Sequence, residues 1–114
     1  MTLIYKILPE KLWRDAEAKG SFEGASIDLT DGFIHFSTAE QTRETADKHF
    51  AGQTGLMLVA VEAEQFGDAM KWEVSRGGAL FPHLYAAMPT TSAAWAKPIP
   101  LDAAGRHDFS GLLT

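Results

Sequence analysis

The apolar and polar positions of this chain divide it into strands and helices before any other property is considered. Leu3 to Leu8 (Leu-Ile-Tyr-Lys-Ile-Leu) is β-branched and aromatic enough to predict a first strand. Pro9 ends it and suits the first turn of a helix, where its missing N–H has no bond to lose. Glu10 to Lys19 then places Leu12, Trp13 and Ala16 on one face, with Gly20 as a stop signal. Ser21 to Leu29 is polar and glycine-containing and reads as a loop with a short extended stretch. Asp31-Gly32 signals a turn, and Phe33 to Ser37 predicts a second strand.

A second helix is expected from Thr38 to about Phe50. Thr38 with Gln41, or Ser37 with Glu40, has capping-box spacing at its start. Glu44 and Lys48 form an i, i+4 pair along it. Leu56 to Ala63, apolar without a break as far as Val61, predicts a strand covered on both faces. Lys71 to Val74 is a short strand, and Arg76-Gly77-Gly78 a turn or flexible loop. Leu80 to Met88 reads as a further strand, which Pro82 assigns to an edge or a bulge. Pro89 to Pro100 is extended and proline-punctuated, and the last dozen residues read as a tail packed on the surface. This order predicts an α+β fold: one domain over residues 1–114, a mixed sheet and two helices in the N-terminal half.

Composition narrows the picture by exclusion. At 114 residues, 46% hydrophobic and 22% charged, the chain can support one core without a staple. It has no cysteine, which removes disulfides, thiolate nucleophiles and cysteine-based metal sites. A net charge of −5 argues against general nucleic-acid binding. Its longest apolar run is far too short for a bilayer, so the expectation is a cytoplasmic protein, monomeric or weakly dimeric.

Candidate chemistry follows from strand parity. Residues i and i+2 share a face, so His35 and Ser37 point one way from the second strand. His83 and Tyr85 do the same on a later strand. If the two strands are neighbours, two imidazoles and two hydroxyls converge on one patch suited to a polar ligand. Lys6 and Tyr5 carry less weight, because one of two successive strand residues faces solvent in an amphipathic strand. In Trp72-Glu73-Val74-Ser75-Arg76-Gly77-Gly78, Trp72 and Val74 are expected to face the core. Glu73 would then be free to stabilise positive charge, and Arg76 to hold a phosphate. The tryptophans, Trp72 among them, are also stacking surfaces for a base. No H-x-H or H-x-x-x-H pair is present, so no metal is expected.

Asp31-Gly32-Phe33-Ile34-His35-Phe36-Ser37-Thr38, Trp72-Glu73 and Phe81-Pro82-His83-Leu84-Tyr85 together resemble a small family of bacterial and plant proteins known as a domain of unknown function. The resemblance runs over nearly the whole chain and implies the split, mixed-sheet fold of the ADP-ribosyltransferases. Ile34-His35-Phe36-Ser37, followed by a helix and an apolar strand, is also similar to the V-H-L-S segment of RNA 2′-phosphotransferases, which consume NAD. The resemblance implies an enzyme acting on NAD or a related nucleotide. In it His35, Glu73 and Tyr85 would be catalytic, and Ser37, His83, Arg76 and Trp72 would bind ligand. The alternative is a non-catalytic module that binds a nucleotide or metabolite, since the phosphotransferases' basic N-terminal lobe has no counterpart here.

Overall fold

A computed structural model describes residues 2–113, the side chain of Arg76 excepted. The elements are β1 (Leu3–Pro9), α1 (Glu10–Lys19), β2 (Ser21–Phe22), α2 (Ser26–Asp31), β3 (Ile34–His35) and α3 (Ala39–His49). They continue with β4 (Leu56–Glu62), β5 (Met70–Ser75), β6 (Ala79–Leu84), β7 (Met88–Pro89) and β8 (Ala93–Ile99). Short 3-10 segments lie at 63–69, 76–78 and 90–92. The fold is α+β, with sheets β1-β4-β8 and β3-β6-β5 and a ribbon β2-β7.

Every pairing between these strands is antiparallel, which corrects the expected mixed sheet. Strand–helix–strand order suggests parallel crossovers, but β1 takes β4 as its partner, from Leu3↔Glu62 to Pro9↔Leu56. The sheets are spliced where Tyr5 and Ser37 exchange backbone hydrogen bonds of 2.7 and 2.8 Å.

β1 and β4 are buried on both sides, and their alternate residues feed two cores. Ile4, Leu8, Met57, Val59 and Val61 join Trp13, Phe22, Leu84 and Met88. Tyr5, Ile7, Leu56, Leu58 and Ala60 join Ala46, Ile99 and Phe109. Each fully buried aliphatic side chain such as Leu58 or Leu84 contributes roughly 1.5–3 kcal/mol. Two-sided burial also corrects the reading of β1: both Tyr5 and Lys6 are buried. The C-terminal tail packs down on the second core, with His107 and Phe109 buried.

Thr38 is the cap of α3: its hydroxyl accepts from the Gln41 N–H at 3.2 Å, and Gln41 Oε1 accepts from the Thr38 N–H at 3.0 Å. Such a cap is worth about 1 kcal/mol. The segment read as a loop with a short extended stretch holds that stretch as β2, then α2 where loop was expected, which makes three helices before β4 rather than two. At six residues, α2 is too short to show a period. It is anchored by Asp28, whose carboxylate accepts from the Ala25 N–H at 2.8 Å. Gly24 makes this possible: its φ is +128°, and a Cβ there would lie 2.7 Å from Asp28 Cβ.

Two further expectations are overturned in the β3-β6-β5 sheet. Trp72 and Val74 are 41% and 71% exposed rather than buried, because the core ends beside Met70 and Leu84, and β5 and β6 extend beyond it. Pro82 lies in the central strand, β6, with unbroken register to β5. The β3 ladder stops at His35↔His83, because at the next register Pro82 has no N–H to give back to Phe36. The Pro82 carbonyl accepts there from the Phe36 N–H at 3.0 Å.

Candidate functional site

The two histidine-bearing strands are neighbours. His35 and His83 are direct partners in the β3–β6 ladder, and their ring centroids are 5.2 Å apart. Ile34 and Phe36, on the opposite face of the same segment, are buried in the core, which fixes the direction of His35 and Ser37. Phe33 stacks on His83 at 4.2 Å and lies 4.5 Å from His35 and 5.0 Å from Tyr85.

His35 stands between two carboxylates, with Nδ1 2.6 Å from Asp28 Oδ1 and Nε2 3.0 Å from Asp31 Oδ2. Asp28 is 1% exposed, yet it also accepts from the backbone N–H groups of Ala25 and His35, and Lys6 Nζ sits 3.0 Å from its Oδ2. Burial pushes the Asp28 carboxyl up, but the His35 hydrogen bond, the Lys6 charge and the two backbone N–H groups outweigh it. The result is lowered to about 2. Asp28 is therefore a fixed anion that orients both Lys6 and His35.

A second carboxylate–imidazole pair lies on the adjoining strands. Glu73 Oε1 is 2.8 Å from His83 Nδ1 and accepts from the Tyr85 hydroxyl at 2.7 Å. The bond from Tyr85, then that from His83, holds the Glu73 carboxyl below its ordinary range. The same bond holds the Tyr85 phenol above its ordinary range.

A cavity of about 550 Å³ opens off the edge of β1, between α2 and α3. Its walls are largely apolar (Tyr5, Ile7, Ile27, Phe50), and Asp31, His35, Ser37 and Thr45 are among its polar lining. Ser37 Oγ lies 3.2 Å from Thr45 Oγ1. Lys6, His49 and Ser75 complete the lining. This is the size and polarity of a small-molecule site.

The predicted site residues are thus divided. His35 and Ser37 line the cavity; His83, Glu73 and Tyr85 form a cluster beside it and are not on its wall. Tyr85, expected on one patch with Ser37, is not on the cavity wall, and its hydroxyl donates to Glu73. Trp72 stands on the exposed outer face of β5, away from the cavity lining. The Arg76 side chain lies outside the described residues. Among the described residues, no group of three or more His, Asp or Glu is placed to hold a metal ion. No helix among them is long and apolar enough to cross a membrane. Asp28 and Asp31 escape a sequence reading that takes their segment as loop and turn. The legible signal was Lys6, a charge inside an apolar strand, which must find a buried partner.

A family model described as "Protein of unknown function (DUF952)" matches residues 7–96, a span that includes both carboxylate–imidazole pairs. The chain belongs to the DUF952 family. Among solved structures, this DUF952 protein is similar to protein CC0527 from Caulobacter crescentus. The X-ray structure of that protein is 51% identical, with 96% of each chain covered and a TM-score of 0.92. Its solution NMR structure matches with a TM-score of 0.89, over 100% of this chain and 98% of that one. No curated protein matches the sequence.

Proposed function

We propose that this DUF952 protein binds a nucleotide-like small molecule, NAD or a relative of it, in the cavity beside β1. The observation that carries the reading is the cavity's mixed chemistry: a largely apolar wall for a flat ring, interrupted by His35 and the paired Ser37 and Thr45 hydroxyls. The resemblance of the His35-containing segment to NAD-consuming proteins of the ADP-ribosyltransferase fold supports that ligand class. In this reading His35 and Ser37 orient the ligand, and Asp28 sets the imidazole. The protein works in the cytoplasm as a monomer or weak homodimer.

Retention of the cleft without the transfer chemistry fits the geometry better than turnover does. Glu73, the carboxylate that would stabilise an oxocarbenium-like state, is engaged by Tyr85 and His83 outside the cavity. The transferase reading draws instead on the direct His35–His83 pairing, which sets the two polar clusters side by side.

An NMR titration of the labelled protein with NAD tests both. Shifts at His35, Ser37 and Thr45 that disappear in His35→Ala are the expected result, with no nicotinamide released. Release that is faster than with His35→Ala would establish the transferase reading. No shift at millimolar NAD would overturn both.

A further inference from the structure

We propose that Asp31 is the specificity-determining residue of the cavity: its carboxylate occupies the place on His35 Nε2 that an anionic group of the ligand, a phosphate or a carboxylate, takes on binding. The inference rests on the cavity being a ligand site and adds the chemical class of the group recognised by its polar lining.

The two carboxylates on His35 differ in kind. The Asp28 side chain is fully buried and tied to the backbone at Ala25 and His35, so it fixes the ring through Nδ1. The Asp31 side chain is 39% exposed and faces Nε2 from the last residue of α2. Gly32 follows as the left-handed cap of α2, its N–H donating to the Asp28 carbonyl at 2.8 Å, so any movement of the Asp31 carboxylate is a side-chain rotation. Asp28 is thus structural, while Asp31 is attached through a short element with solvent beside it.

The lining supplies the second observation. Among the described residues on the cavity wall, Asp31 is the one carboxylate, set against Lys6, His35 and His49 and the hydroxyls of Ser37 and Thr45. The Lys6 ammonium is engaged by Asp28 and by the His35 carbonyl, so the nitrogen aimed at the ligand is His35 Nε2. With Asp31 swung aside, His35 turns Nε2 to the cavity beside the Ser37 and Thr45 hydroxyls and an apolar wall; carrying a proton on that nitrogen as well as on Nδ1, it is a donor for an anionic group. That arrangement suits an aromatic ligand bearing a single anionic group. A ligand lacking that group leaves Asp31 in place.

AMP and adenosine, titrated by NMR into the full chain, separate the outcomes. Asp31→Asn keeps the shape of the side chain and removes the charge. It is expected to tighten AMP about tenfold, equivalent to about 1.4 kcal/mol, and to leave adenosine within about twofold. The exposed control Asp47→Asn, off the cavity, is expected to change neither, which separates a local effect from net charge. His35→Ala is expected to abolish the preference for AMP over adenosine. AMP binding by Asp31→Asn alone, and not by the wild type, would also support the proposal. Equal AMP affinity in wild type and Asp31→Asn overturns it while leaving the cavity a ligand site. If none of the proteins binds either compound, the cavity reading fails and this proposal fails with it.

Discussion

Replacing Asp28 by Asn keeps the size of the side chain and removes a charge on which Lys6 and His35 both depend. The Asp28 carboxyl, lowered from its ordinary 3.8 to about 2, is stabilised as an anion by about 2.5 kcal/mol. The substitution also leaves the Lys6 ammonium, 8% exposed, without its carboxylate. Breaking a buried pair in this way costs about 3–5 kcal/mol. The two figures overlap rather than add, so the expected loss is about 3 kcal/mol. For a chain of this size that is a fall in Tm of about 12 °C. Urea unfolding and thermal melts measure it. Because the folded carboxyl is lowered, its contribution is fully present above the unfolded value and is lost as pH falls towards 2. The stability gap between wild type and Asp28→Asn must therefore close between about pH 4 and pH 2. The double variant Lys6→Met/Asp28→Leu, which removes both charges, should be more stable than Asp28→Asn. A loss below about 1 kcal/mol at neutral pH, or a gap that stays constant down to pH 2, would refute the reasoning.

Further outcomes follow from the same structure. Gly24→Ala should cost about 1–3 kcal/mol in urea unfolding, because the backbone stands at +128° and the added methyl meets Asp28. Glu73→Gln should return the raised Tyr85 phenol towards its ordinary value, read from the tyrosine Cζ resonance during an alkaline titration. Leu84→Ala, at a position with no exposure, should cost about 2–5 kcal/mol and leave no change in the denaturant slope. Trp72→Phe should remove the largest share of the acrylamide-quenchable tryptophan fluorescence at a stability change within about 0.5 kcal/mol, since Trp72 is 41% exposed, Trp95 partly buried and Trp13 buried.

Local chemistry made much of this fold legible along the chain. The start of α3 was legible to within one residue, because a capping box is formed within four residues and both Ser37–Glu40 and Thr38–Gln41 have its spacing; the fold uses the latter. The end of α1 was written in Gly20, whose φ of +84° lets its N–H reach the Ala16 carbonyl at 2.8 Å. The unbroken apolar run from Leu56 announced a strand covered on both faces, as β4 is. Strand parity alone set His35 and Ser37 on one face, opposite Ile34 and Phe36.

Tertiary structure decided what no periodicity encodes. It chose β4 as the antiparallel partner of β1, and it ended the core at Met70 and Leu84, so that Trp72 and Val74 stand outside. It folded the polar stretch around Ser26 into a helix, because Asp28 there meets Lys6 from β1 and His35 from β3. Those three residues are spread over positions 6 to 35, and a sequence records which charges exist but not which of them share a low-dielectric interior. The histidine pairing and the separation of Glu73 and Tyr85 from the cavity have the same origin. Side-chain type and alternation are local properties, whereas the partner of a buried charge is set by which strands come to lie together.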